Sequence, residues 1–304
     1  MNEIGKRITD KLIEISGKDK FSIAFLPYKR SMWNSMESVY EECMAAGAEA
    51  YVIPLPYQRI IDGKVDRFDT DKDMFDNAQS VLLLARKKFD FVVIHYPYDD
   101  KNKVTRMWPE YFTAELRKYG SVVYIPYSCT NMKQLRVQSG IANVDYAFLG
   151  SECEAEAFIQ EWKELGVDFS GRVFGLGSPK MDAISKLEKK ETGTTLVINS
   201  LGPFLYSPFD HIRLYEHHIM NEFGRGRHVI FRPHPLLRQT IRSMRPDVES
   251  DYDRFIAWCQ TRDQVEVDES EYLEEALAKA DFLISDPSSV LEMWISTGRE
   301  YRVI

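Results

Sequence analysis

Apolar runs of four to six residues recur along the chain and alternate with stretches whose apolar positions fall at helical spacing. In the first half the runs predict strands at 22–26, 50–53, 91–94, 122–125 and 146–149, and the spacing predicts helices over 35–46, 74–87, 105–118 and 155–165. A second series follows, with strands at 173–175, 195–199, 229–231, 265–267 and 282–284. Helices are expected there over 211–222, 236–243, 251–260, 272–279 and 288–297. Repeated strand–helix alternation implies parallel sheets covered on both faces. The fold class expected is therefore α/β: two doubly wound Rossmann-like domains, 1–170 and 171–304, facing a cleft, with the polar stretch 186–194 as linker.

Composition narrows the class. The 304 residues are 44% hydrophobic and 28% charged, an ordinary balance for a soluble globular protein. No run approaches the roughly 18 apolar residues of a membrane span, and the charged start has no signal-peptide core, so a cytoplasmic protein is expected. The amphipathic stretch 4–15 reads as packed on the domain surface, with contact at the inner face of a membrane as the alternative. Net charge is -8, which argues against nucleic acid as a partner. Cys43, Cys129, Cys153 and Cys259 have neither CxxC pairing nor regular spacing, so reduced thiols are expected. There is no HExxH, GxSxG, Walker or GxGxxG pattern, and no metal or cofactor is implied. Oligomeric state is not legible.

Against that acidic background, residues 225–245 hold six arginines and two histidines and no carboxylate. The island centres on Arg232-Pro233-His234-Pro235, where two prolines stop a buried strand and deliver Arg232 and His234 at its C-terminal edge. In open α/β sheets ligands bind at that edge, so a small anion is expected; a histidine locked between prolines is the plain alternative. A second anion device is Asp286-Pro287-Ser288-Ser289. Here Asp286 reads as a helix N-cap, Pro287 as the first helical residue, and Ser288 and Ser289 as phosphate-binding hydroxyls and N–H groups. The turn at Asn199 and Ser200, followed by Gly202, could let backbone approach the same phosphate. Glu292, about one turn into the helix, could reach ribose hydroxyls. Arg238, Arg242 and Arg245 read as a solvated helix face. In the first half, Lys29, Arg30 and Trp33, then His95 and Asp99, then Tyr127 follow strand ends and point to an acceptor side. His95 is the natural candidate for a general base.

Together these stretches resemble the CDP-glycerol glycerophosphotransferase family of surface-polymer transferases. The match is carried by Arg232-Pro233-His234-Pro235 with Asp286-x-Ser288-Ser289, and extends to Leu26-Pro27-Tyr28-Lys29-x-Ser31-Met32-Trp33, His95-x-Pro97-Tyr98-Asp99, Tyr124-Ile125-Pro126-Tyr127 and Gly177-Ser178-Pro179-Lys180-x-Asp182. The resemblance implies a glycosyltransferase-B fold and an enzyme. Its donor would be CDP-glycerol or a related CDP-alditol, its acceptor a hydroxyl of a polymer precursor or lipid-linked molecule, with CMP leaving. Arg232, His234, Ser288 and Ser289 would hold the donor phosphates. Two departures stand out. The family's wall-polymerising members carry a His-Gly dipeptide that the stretch 124–130 lacks, which shifts the catalytic expectation to His95, Asp99 and His234. The chain also stops at an expected strand, 301–304, where the fold continues into crossover helices, as in a fragment or an unusual domain coupling. Rival expectations are a nucleotide-sugar glycosyltransferase or epimerase, and a nucleotide-binding protein without the acceptor-side base.

Overall fold

In the computed structural model, which describes residues 2–61, 63–99, 101–102, 104–128, 136–187, 191–270 and 273–304, the chain begins with helix α1 (Glu3–Ser16). Its apolar positions recur four apart and so share one face. Ile8 and Leu12 on that face are fully buried, in one core with Val39 and Cys43 of the next helix. Gly5 makes that approach close, since a Cβ there would lie 2.5 Å from the Ser38 carbonyl oxygen. The apolar face of the amphipathic start is thus used inside the fold rather than on a membrane. Among the described residues no helix is long and apolar enough to cross one.

β1 (Ser22–Phe25), α2 (Glu37–Ala45) and β2 (Glu49–Val52) follow. Then come β3 (Tyr57–Ile61), β4 (Lys64–Asp69), α3 (Leu82–Arg86), β5 (Phe91–Ile94), β6 (Thr105–Met107), α4 (Thr113–Leu116) and β7 (Ser121–Tyr124). β8 (Tyr146–Phe148), α5 (Glu152–Glu164), β9 (Val173–Phe174) and α6 (Lys180–Ser185) complete this part. A six-stranded sheet runs β2-β1-β5-β7-β8-β9, every pairing parallel. Its central strands, β1, β5 and β7, are almost wholly buried because apolar layers cover both faces.

Three expectations are corrected here. The helix expected over 105–118 is β6 followed by a short turn and the four-residue α4; Thr105–Met107 is drawn into antiparallel pairing with Tyr57–Arg59, which overrides its local spacing. That pairing belongs to a small sheet, β4-β3-β6, absent from the sequence reading. The helix expected over 74–87 shrinks to the five residues of α3. Finally, the strand at Val173 does not open the second domain. It pairs with β8, Ala147 opposite Val173 and Phe148 opposite Phe174, and closes the first sheet. The chain accordingly divides into units of 1–59 with 65–183, and 60–64 with 184–304, so residues 171–183 go with the first unit. Cys129, Thr130, Tyr272 and residues 188–190 of the expected linker lie outside the described residues.

The second unit contains β10 (Thr194–Ile198), α7 (Leu201–Tyr206), α8 (Pro208–Gly224), β11 (His228–Arg232), α9 (Leu237–Met244) and α10 (Glu249–Gln260). β12 (Val265–Val267), α11 (Leu273–Lys279), β13 (Phe282–Ser285), α12 (Ser289–Ser296) and β14 (Glu300–Val303) follow. All five strands are parallel in the order β12-β11-β10-β13-β14. Connections from β10 run to one side as far as β12 and then cross to β13 on the other. Such a reversal opens a crevice between β10 and β13 at their C-terminal ends. The first sheet has its own reversal between β1 and β5.

Candidate functional site

The registers Ile198↔Arg232 and Ile198↔Ser285 set the last residues of β11, β10 and β13 side by side. Neighbouring strands lie about 4.8 Å apart, so Asn199-Ser200 and Asp286 meet at the reversal. Asp286 is 2% exposed. Its carboxylate accepts the Ser200 N–H on both oxygens, at 3.0 and 2.8 Å, and the Tyr215 hydroxyl at 3.2 Å. Burial pushes its pKa up, and those hydrogen bonds work in the opposite direction. Asp286 therefore clamps two loops and does not cap α12. The cap is Ser288, extended at φ -156° and ψ 166°, whose hydroxyl accepts the Leu291 N–H at 3.2 Å. The reason is tertiary: the Asp286 carboxylate is committed to Ser200 and Tyr215, which leaves Ser288 to cap a helix that starts at Ser289. Ser289 contributes N–H groups at the positive end of an eight-residue helix, and Glu292 sits exposed in the first turn with its pKa raised by desolvation.

Asn199 departs from its expected role. Its Nδ2 donates to the Ser200 carbonyl oxygen at 3.1 Å, and its Oδ1 is an acceptor, the wrong polarity for phosphate. Arg232 departs further. Only 4% exposed, its guanidinium is committed to Asp268 at 2.5 Å, to the Ser270 hydroxyl at 3.1 Å and to the Ser270 carbonyl at 2.8 Å. Partial burial opposes the ionised form of Asp268, but Ser270 and then Arg232 hold its pKa below the ordinary value. The rest of the basic island is likewise neutralised from within. Arg225 pairs with Glu222, Arg227 with Asp281, Arg238 with Asp253, Arg242 with Glu249 and Arg245 with Asp247. All six arginines have carboxylate partners, so the island is not the free anion site that its composition suggests.

His234 is half-buried. Its Nδ1 accepts the Leu236 N–H at 3.1 Å, so the proton of the neutral ring lies on Nε2. That makes it a donor, suited to a phosphate oxygen. It lines a pocket with Pro233, Pro235, Arg238, Tyr252, Glu269 and Ser270, so a carboxylate as well as a guanidinium faces that space.

In the first unit, His95 follows β5 at that sheet's reversal, but it is 0% exposed. Nε2 accepts the Tyr28 N–H at 3.3 Å, and Nδ1–H then donates to the Ser35 hydroxyl at 3.1 Å, which passes its own proton to the Met32 carbonyl at 2.7 Å. Burial above all, with Lys180 adding, lowers its pKa to about 3. A base needs a reachable lone pair and a pKa near the working pH; His95 has neither, and it fixes two loops instead. Asp99 is also structural. Left-handed at φ 49°, it accepts the N–H and hydroxyl of Thr113, both at 3.0 Å, at the start of α4. Trp33 is core, 5% exposed, with Nε1 donating to Glu37 at 3.0 Å. Lys29 donates to the Tyr57 hydroxyl at 2.6 Å, Tyr57 donates to Asp71 at 3.2 Å, and Asp71 also accepts the Arg30 N–H at 2.8 Å. Tyr127 meets Tyr98 hydroxyl to hydroxyl at 3.2 Å. Sequence reasoning missed Tyr57 and Asp71, which lie in segments without a repeating signal.

No protein-family model and no curated protein sequence matches this chain. Solved structures do resemble it. The S. aureus MnaA–UDP co-structure matches with TM-score 0.57 at 13% identity, over 93% of this chain and 78% of that one. The UDP-GlcNAc 2-epimerase from Methanocaldococcus jannaschii matches with TM-score 0.54 at 12% identity, over 93% and 82%. The wall teichoic acid polymerase TagF matches with TM-score 0.49 at 14% identity, over 100% and 74%. The first two likenesses carry the fold: GT-B-like α/β, with two parallel sheets, as the alternating pattern implies.

Proposed function

We propose that the chain is an enzyme that holds the phosphates of a nucleotide-linked donor at the β10/β13 reversal. The observation that carries this is the meeting there of the α12 N-terminus and the clamped Asn199-Ser200 loop, with Glu292 in the first turn of the same helix. Helix-end N–H groups favour phosphate, and Glu292 suits a ribose hydroxyl. His234, two residues beyond the end of β11, adds an Nε2–H donor. Within that class, Arg232-Pro233-His234-Pro235 together with Ser288 and Ser289 supports transfer of glycerol phosphate, or a related alditol phosphate, from a CDP-linked donor. An acceptor hydroxyl would attack the β-phosphorus and give up its proton to solvent as the bond to the bridging oxygen breaks and CMP leaves with that oxygen; positioning and charge neutralisation supply most of the rate. Arg232 acts by holding the strand end rather than by touching phosphate.

A second reading is a nucleotide-sugar epimerase or glycosyltransferase, favoured by likeness to structures described as UDP-GlcNAc 2-epimerases, one bound to UDP-GlcNAc. The closed environment of His95 favours a third, a nucleotide-binding protein without catalysis. Melting temperatures with CMP, CDP, UMP, UDP and GDP separate the base preferences. CDP-glycerol with a membrane fraction, followed for CMP, tests the transfer; UDP-GlcNAc followed for its 2-epimer tests the second reading. CMP release is expected. A nucleotide shift without turnover of either compound would leave the binding protein, and no shift with any nucleotide would remove the donor site.

A further inference from the structure

Asn199 is 1% exposed, at the end of β10. Its Nδ2 contact with the Ser200 carbonyl decides which end of the amide is which, because the reversed assignment would set two acceptors against each other. Oδ1 is therefore an acceptor. It is buried, and among the described residues it has no hydrogen-bond partner. An acceptor left so costs about 1–3 kcal/mol, a cost that an apolar residue at the same place would avoid. By register Asn199 follows Ile198, the partner of Ser285, so it stands beside the chain that leads into α12, whose first N–H groups are donors suited to phosphate oxygens. An unpaired acceptor beside donors for phosphate complements a phosphate ester whose neighbouring group carries a hydroxyl.

We infer that Asn199 is a specificity residue whose Oδ1 receives a hydroxyl of the ligand, from the ribose or from the polyhydroxy group on its terminal phosphate. This rests on the phosphate site proposed above. A site built to bond a hydroxyl rejects an analogue lacking it, since the buried acceptor is then left unpaired.

The test is calorimetric titration of the full chain with two sets of ligands: CDP, 2′-deoxy-CDP and CDP-glycerol, and UDP, 2′-deoxy-UDP and UDP-GlcNAc. The wild type is expected to prefer the more hydroxylated member of one comparison by about tenfold, equivalent to about 1.4 kcal/mol. In Asn199→Ala that preference collapses while affinity for the less hydroxylated member is kept, and the comparison that collapses names the source of the hydroxyl. Asn199→Asp retains the acceptor and with it the preference, although overall affinity falls. Ligand-free Asn199→Ala removes the unpaired acceptor and also the Nδ2 bond to the Ser200 carbonyl, so the inference is read from the ligand preferences and not from stability. Unchanged preferences in Asn199→Ala, or an equal loss for every ligand, would overturn the inference while leaving the phosphate site standing. Failure of the wild type to bind any of the six would remove both.

Discussion

Asp286 holds the backbone N–H of Ser200 between its two carboxylate oxygens, at 3.0 and 2.8 Å, and so fastens the loop after β10 to the loop after β13. The same carboxylate accepts the Tyr215 hydroxyl. Replacing it by alanine leaves a backbone N–H and a phenol short of an acceptor inside the fold, at about 1–3 kcal/mol for each group. Asp286→Ala is expected to lower the melting temperature and to weaken nucleotide binding in parallel, since both depend on the loop. Asp286→Asn, which keeps one acceptor oxygen, should fall between. Wild-type stability in Asp286→Ala would mean that the clamp contributes nothing.

His95 is expected to show itself in the pH dependence of stability. Its pKa is lowered from 6.5 to about 3, mainly by burial, so the unfolded chain takes up a proton before the folded one does. Its contribution is complete above pH 6.5 and is lost as the pH falls towards 3. His95→Gln, whose side-chain oxygen can take the Tyr28 N–H, removes the titrating group. Its melting temperature should drop less than that of the wild type between about pH 7 and pH 4. Parallel curves would show that His95 is not the group being titrated.

Arg232 and Asp268 are 4% and 10% exposed and make a near-buried pair. Removing one member strands the other charge, a loss of about 3–5 kcal/mol, whereas replacing both by apolar residues of similar volume is often close to neutral. In urea unfolding, Arg232→Met and Asp268→Leu should each be strongly destabilised, and the double variant should recover much of the loss. If Arg232 acts only through the strand end, the double variant keeps its nucleotide-induced rise in melting temperature. Loss of that rise alone would return Arg232 to direct phosphate contact.

The parallel strands were legible because burial on both faces leaves continuous apolar runs, as in Phe91–Ile94 and His228–Arg232. The β4 strand was not, since nearly every residue of Lys64–Asp69 is exposed and the segment offers no apolar alternation. At the candidate site, residue types were legible and pairings were not. The cationic run around Arg232 is plain in the sequence, but its counter-charges arrive from α8, from the chain around α10 and from the loops after β12 and before β13, through contacts that only folding creates. The Asp286-Pro287-Ser288 stretch suggested a helix start correctly and assigned the cap two residues early, because the Asp286 carboxylate is drawn to Ser200 and Tyr215, partners that only folding brings to it.

Gly175 and Gly202 provide a paired test of what the fold needs and what a ligand needs. A Cβ at Gly175 would sit 2.2 Å from the backbone of Ser151 and Glu152, which cannot move aside as a side-chain tip would. Gly175→Ala should therefore cost about 1–3 kcal/mol as an overpacked contact, seen as a lower melting temperature. A Cβ at Gly202 meets nothing within 4 Å beyond its chain neighbours, but Pro203 follows, and a residue that carries a Cβ is disfavoured in helical geometry before a proline. Gly202→Ala should therefore melt somewhat below the wild type, with a smaller loss than in Gly175→Ala. A ligand lying over the start of α7 would make a second demand for glycine. Weaker nucleotide binding is accordingly expected in Gly202→Ala by calorimetry, at temperatures where the variant is still fully folded. Full-strength binding in that variant would move the ligand away from α7 and onto the α12 terminus alone.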